Sequence, residues 1–395
     1  MSTLETLYQY SDPFPRTNNF WGPLGYRALE TVVDFEMQSD RNVSRNTLEA
    51  AQGKVHFIEA RDGRRIAAYQ HGISDGTPVI YFHGTPGSGV GPQPGLHYTS
   101  ANVVMYDRPG YGFSDPKPGR HPIDSAEDVE DIANYFGFDT FCGVARSGGG
   151  PHLLAAAARL GTRIKRIALL GAPPPRALMQ ERWFDDLSHG NTAAFGAEDF
   201  ETLVEGLAKE RKSILKNPLN FLVDRLIEGA EDDRTIIGLS KSGPYDPLTQ
   251  GYGFYRPHLL LTYELGVKLG LAGWVDDIHG QEDWGFSLND VQQETLLWYG
   301  ANDTFVTPNQ SNCLVENIHA KKKIVVERRG AGHLRALDYD IGTAVLRWCL
   351  TGEYYCIVNR EKLPMLGIEL PGKGNIVSRQ YRPERNPQWY LHETS

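Results

Sequence analysis

Ser147 stands in Ala145-Arg146-Ser147-Gly148-Gly149, a serine held among small residues. An apolar run precedes it and an alanine-rich run follows, which places the serine at a strand-to-helix turn. A sharp turn of that kind strains the backbone of its central residue and lifts the side-chain oxygen clear of the sheet. Small neighbours are needed because strand and helix backbones then come very close. The start of the helix adds free N–H groups and a partial positive charge where an oxyanion would form. Two further residues suit the same chemistry. Asp303 ends Tyr299-Gly300-Ala301-Asn302-Asp303, and His333 ends Gly330-Ala331-Gly332-His333. A carboxylate just past a strand end can orient an imidazole, which can reach back over the sheet and take a serine proton. Alone, Asp303 reads as a turn former and His333 as a helix cap. Together, all three after strand ends, they point to nucleophilic catalysis.

A fourth segment, Phe82-His83-Gly84-Thr85-Pro86-Gly87-Ser88, also follows a strand-like run. A glycine-bearing loop there can aim a backbone N–H at the space above Ser147. Thr85 N–H and Gly148 N–H are the candidate oxyanion donors, since Pro86 has no N–H to give. His83 is read as a ring that fixes this loop by hydrogen bonds, in preference to a proton carrier, and is kept among the substrate-binding candidates.

These positions need a scaffold, and the hydrophobic pattern supplies one. Residues 55–60, 64–72 and 78–84 read as strands, the first two joined by an Asp-Gly turn into a hairpin. Further strands are expected at 102–107, 141–145, 166–172, 295–300 and 322–328. Helices are expected at 124–136 with Asp124 as N-cap, and at 151–160, 308–318 and 334–350. Strands alternating with helices imply a mostly parallel sheet covered on both sides. The alternation stops at Pro173-Pro174-Pro175 and resumes near residue 296. Between them lie helical stretches such as 197–215 and 220–230, which read as an insertion.

With those motifs in view, the chain resembles the α/β-hydrolase-fold serine hydrolases over about residues 54–350. Asp107-Arg108-Pro109-Gly110-Tyr111-Gly112-Phe113-Ser114 is similar to a loop after the fourth strand of that family, and Trp284-Gly285-Phe286-Ser287-Leu288 to the segment before its acid-bearing strand. The order Ser147, Asp303, His333 is the family's order. The resemblance implies a mostly parallel eight-stranded sheet flanked by helices, with a helical cap. Residues 1–53 would be an N-terminal extension packed on the core, 54–175 and 286–350 the core, 176–285 the cap and 351–395 a C-terminal extension. It implies Ser147 as nucleophile, His333 as base, Asp303 as acid, and the Thr85 and Gly148 amides as oxyanion hole. Arg146 departs from the small or apolar residue expected before the serine. It is expected to be buried against a carboxylate partner, with a substrate carboxylate as the alternative. In the cap, Tyr252, Phe254 and Tyr255 form the densest aromatic group and are the first choice for the pocket wall.

Composition narrows the remaining classes. The 395 residues carry 40 Lys+Arg against 49 Asp+Glu, a net charge of -9 that argues against a broad nucleic-acid-binding surface. Four scattered cysteines with no CxxC pair suggest neither a disulfide scaffold nor a zinc site. No metal or cofactor is expected. The N-terminal segment lacks a signal-peptide pattern and no apolar run is long enough to span a membrane, so a cytoplasmic protein without membrane partners is expected. The apolar content of both extensions predicts ordered segments, packed over the cap or forming a homodimer. The partner implied is a small-molecule substrate: an ester or lactone, small to medium in size and largely apolar. The alternatives are a C–C bond hydrolase, an acyl-rearranging biosynthetic enzyme, or a non-catalytic ligand receptor on the same scaffold. Epoxide- and halide-directed relatives use an aspartate at the elbow, and Ser147 argues against both.

Overall fold

The computed structural model describes residues 54–90, 101–218, 221, 255–328, 331–337, 339–354, 356–357, 376–377 and 389–394. The eight expected strands are β1 (Lys54–Glu59), β2 (Arg65–Gly72), β3 (Thr77–Phe82), β4 (Ala101–Tyr106), β5 (Phe141–Arg146), β6 (Ile164–Leu170), β7 (Glu294–Gly300) and β8 (Lys323–Arg328). β1 and β2 form the antiparallel hairpin, with Gly63 at φ 82° in its turn. β3 to β8 run parallel to their neighbours among themselves. A two-residue pair, β9 (Cys356–Ile357) with β10 (Ile376–Val377), stands apart. The C-terminal extension then adds a ninth strand to the main sheet: β11 (Trp389–Thr394) lies antiparallel on β8, from Trp389 opposite Arg328 to Thr394 opposite Lys323.

The sheet order is β1-β2-β4-β3-β5-β6-β7-β8-β11. The chain leaves β3 toward β4 and returns on the other side of β3 as β5. A crevice must open where successive crossovers diverge, beyond the carboxyl ends of β3 and β5. Phe82 is in register with Ala145. The loop starting at His83 and the turn at Ser147 therefore emerge side by side.

Alternate strand residues feed two cores. Val79, Val103, Val144 and Trp298 face α8 (Tyr339–Thr351), and Ile80, Val104, Ala145 and Leu297 face α1 (Ser125–Tyr135) and α2 (Gly150–Leu160). Both strand faces are dry, which is why these strands are continuous apolar runs. Asp124 occupies the N-cap position of α1, but its carboxylate accepts from the His121 amide and pairs with Lys117 instead of capping the helix.

Between β6 and β7 the described residues contain no strand. They form α3 (His189–Phe195), α4 (Phe200–Lys216), α5 (Tyr255–Lys268) and α6 (Ala272–His279). Asp199 caps α4 by accepting from the Thr202 amide at 2.7 Å. Leu203, Leu207, Ile214, Val267 and Trp274 make a third apolar cluster, which Tyr111 of the core joins. Apart from Phe221, the helix expected at 220–230 lies outside the described residues, as does the extension 1–53. Among the described residues no helix is long and apolar enough to cross a membrane.

Candidate active site

Ser147 follows β5 at the head of a tight turn that leads into α2, and its φ is +51°. A non-glycine residue in the left-handed region costs roughly 1 kcal/mol or more and persists only where its surroundings enforce it. The enforcement is visible at the two glycines that follow. A Cβ on Gly148 would lie 2.3 Å from Thr85 Oγ1, and one on Gly149 2.6 Å from the carbonyl oxygens of Phe82 and His83. Neither position admits a side chain, so the turn is pressed directly against the loop after β3. The Ser147 hydroxyl makes no hydrogen bond among the described residues.

Asp303 lies beyond β7 in a loop closed by α7 (Pro308–Asn317), whose Thr307 and Gln310 cap each other. The carboxylate is fully buried and both its oxygens are engaged. Oδ1 accepts from the Phe305 and Val306 amides at 2.8 and 2.9 Å, and Oδ2 meets His333 Nδ1 at 2.7 Å. The helix expected at 334–350 begins as a short 3-10 turn, His333–Leu337, before α8. With Nδ1 donating to Asp303, Nε2 of His333 is left as the acceptor. Gly171, at φ +58° after β6, was not singled out from the sequence. A Cβ there would stand 3.2 Å from His333 Cε1 and 3.3 Å from Nδ1, so its bareness makes room for the imidazole.

The loop after β3 is held from beneath by an unforeseen buried network. His83 Nδ1 lies 2.7 Å from the Gly84 carbonyl, and its Nε2 accepts from the Arg108 amide at 3.2 Å. Burial and the neighbouring Arg108 push this imidazole well below its ordinary pKa. Both ring nitrogens are thus spent on fixing the loop. Arg108 also donates to the His83 carbonyl and, at 2.5 Å, to Asp277 of α6. Asp277 accepts further from Arg120 at 2.6 Å, Tyr111 Oη at 2.8 Å, His152 Nε2 at 3.1 Å and Thr85 Oγ1 at 2.5 Å. Burial would raise its carboxyl, but Arg108 and Arg120 bring it well below the usual carboxylate range. Burial and Arg108 lower His152 to about 4, which fits a neutral ring donating to Asp277 and accepting from Ser125. Thr85, whose own N–H makes no hydrogen bond among the described residues, is therefore fixed by a carboxylate from the helices between β6 and β7. Arg108 and Tyr111 sit in the loop already noted in the sequence. Asp277 carried no local signal.

Ser147, Gly148, Thr85, Arg146 and His333 line one solvent-connected cavity. Trp183, Phe195, Phe221, Tyr263, Trp274 and Phe305 give its walls an aromatic part. His83 does not line it, and Asp303 stands behind His333. Of the three aromatic residues first chosen for the wall, Tyr252 and Phe254 lie outside the described residues. Tyr255 opens α5, and its side chain is not described. Arg146 corrects its expectation in one respect. It is buried, at 6% exposure, yet among the described residues it has no carboxylate partner, and its buried Nε has no hydrogen bond. The carboxylates of the site, Asp277 and Asp303, are committed to other groups.

Comparison with known proteins agrees with this architecture. A profile described as the alpha/beta hydrolase fold matches residues 77–338. Among solved structures, the chain is similar to the esterase RhEst1 from Rhodococcus sp. ECU1013, with 17% identity and a TM-score of 0.51, covering 75% of this chain and 98% of that one. It is similar to a structure described under novel epoxide hydrolases in metagenomes from hot environments, with 16% identity, a TM-score of 0.50 and coverage of 76% and 99%. A bromoperoxidase from Bacillus anthracis matches with 22% identity, a TM-score of 0.49 and coverage of 75% and 99%. At these identities the likeness is one of fold. The search of curated proteins found no match. Because the family profile spans well over half of its length, the chain belongs to the alpha/beta hydrolase fold family and is an enzyme of hydrolase type.

Proposed function

We propose that the protein is a serine hydrolase that cleaves a small to medium ester or lactone with a largely apolar body by Ser147-His333-Asp303 acyl transfer. The observation that carries this reading is a left-handed Ser147 sharing one cavity with a His333 whose Nδ1 is bonded to buried Asp303. His333 Nε2 takes the Ser147 proton as Oγ attacks the carbonyl carbon. The charge then on the imidazole is stabilised by Asp303, which is held in place by two backbone amides. The carbonyl oxygen becomes an oxyanion facing the Thr85 and Gly148 N–H groups, and each such donor typically contributes about 3–4 kcal/mol to the transition state. Collapse of the intermediate breaks the C–O bond, and His333 returns its proton to the leaving alkoxide. Water, deprotonated by the same imidazole, releases the acid and restores Ser147. The aromatic walls suit an apolar substrate body.

Hydrolysis of 4-nitrophenyl butyrate tests the assignment. Ser147→Ala and His333→Ala should each lower kcat/KM by roughly a thousandfold or more, with comparable losses because the residues act as a unit. The melting temperature of Ser147→Ala should stay near wild type, since Ser147 contributes little to either core. Undiminished turnover in Ser147→Ala would sink the reading.

A further inference from the structure

Arg146 closes β5 and immediately precedes the nucleophile, so its backbone is set by the same turn that sets Ser147. The point where a Cβ on Gly84 would stand is 3.6 Å from Arg146 Nε, 3.7 Å from Nη2 and 3.4 Å from Ser147 Cβ. The guanidinium and the Ser147 side chain thus flank the same point beside Gly84. It lines the cavity, is more than nine-tenths buried, and makes no ion pair or hydrogen bond among the described residues. A guanidinium keeps its charge on burial, and an uncompensated buried charge costs several kcal/mol. The other buried arginines of this region do not share that condition. Arg108 and Arg120 both end on Asp277. Asp277 is itself saturated with five donors, and Asp303 is divided between two amides and His333. One cavity thus holds an unpaired, planar, five-donor cation together with the nucleophile.

We infer that Arg146 docks a carboxylate of the substrate, so that the enzyme acts on an ester whose molecule carries a carboxylate a few bonds from the scissile carbonyl. This rests on the serine acyl-transfer reading above. The fork of a guanidinium matches the two oxygens of a carboxylate in parallel hydrogen bonds. One buried cation balances one negative charge. A phosphate dianion would bring a second negative charge, unmatched by any further cation of the lining, into a cavity that Asp277 also lines. The buried cation is then compensated only when substrate is bound, so charge pairing contributes to selection among esters.

Matched ester pairs test this. One pair places the carboxylate on the acyl side: the 4-nitrophenyl monoester of glutaric acid against 4-nitrophenyl pentanoate. The other places it on the leaving group: 3-carboxyphenyl butyrate against 3-carbamoylphenyl butyrate. Wild type should favour the anionic member of one pair in kcat/KM by about ten- to a hundredfold, the range expected of a charge-assisted hydrogen-bonded contact. The favoured pair identifies which side of the ester carries the group. Arg146→Met should collapse that ratio toward one, mostly through KM, and Arg146→Lys should restore part of it. A second measurement needs no variant. Pentanoate ion should slow labelling of wild-type Ser147 by a neutral fluorophosphonate, and pentanamide should not. Labelling and neutral-ester turnover without any anion preference or pentanoate protection would overturn the role of Arg146 alone. Absence of both labelling and turnover would overturn the acyl-transfer reading and this inference with it. Equal loss on both members of each pair in Arg146→Met, with a lowered melting temperature, would assign Arg146 to structure instead.

Discussion

Gly148 and Ser147 are neighbours under opposite demands. Ser147 accepts a left-handed backbone that its side chain disfavours, and Gly148 accepts the loss of any side chain at all. The small-residue pattern around the serine was legible in the sequence because both demands are local. What a Cβ at 148 would meet was not legible, since the obstacle is Thr85 from a different strand end. Gly148→Ala should push Thr85 away, because the added carbon would overlap both Oγ1 and, at 2.7 Å, Cβ of that residue. The Thr85 amide would leave the oxyanion position, and kcat should fall about a hundredfold or more with KM little changed, as for loss of one oxyanion donor. Steady-state kinetics on a neutral ester check this. An unaltered kcat would mean that the Thr85 N–H does not serve the reaction. Arg146 is the residue whose setting was least readable. The charge of its side chain was plain, but whether a carboxylate would meet it depends on how distant segments fold together.

The strands and the two-sided packing of the sheet were legible element by element, since each depends on short runs of apolar residues. Helix α6 was not singled out, and it carries Asp277, whose partner Arg108 lies 169 residues away in sequence. No local pattern marks such a pairing. The same helix sets two adjacent carboxylates against each other. Asp277 faces arginines and is held well below the ordinary range. Asp276 is raised to about 6 by burial, which Arg120 only partly offsets, and its Oδ2 has no partner. Its carboxyl thus binds a proton more tightly folded than unfolded, where its pKa is 3.8. The stability this lends is complete below pH 3.8 and is lost as pH rises through 6. An amide has no such penalty and keeps the Oδ1 that accepts from the Gly119 amide. Asp276→Asn should therefore be the more stable protein at pH 8, by roughly 3 kcal/mol. The advantage should shrink below pH 6 and be gone near pH 4. Urea unfolding at several pH values measures the difference. A gap independent of pH would contradict the assignment.

At the scale of the molecule, the site lies where the order of crossovers reverses between β3 and β5. It draws on segments from both sides of the helical stretch: Thr85, Arg146 and Ser147 before it, Asp303 and His333 after it. The alternation of strands and helices carried that much of the architecture. It did not reveal β11, because a strand that closes a sheet edge from the far end of the chain has a hydrophobic pattern but no marker of its partner. Eight strands were expected and the ninth comes from the C-terminal extension. The proposed chemistry requires Ser147 to be a nucleophile activated by His333. Covalent labelling tests this most directly: a fluorophosphonate is added to wild type and to His333→Ala, and the adduct is located by peptide mass spectrometry. The account predicts a single adduct on Ser147 in wild type, formed far more slowly without the imidazole. An adduct on another serine, or equal rates in both proteins, would contradict it.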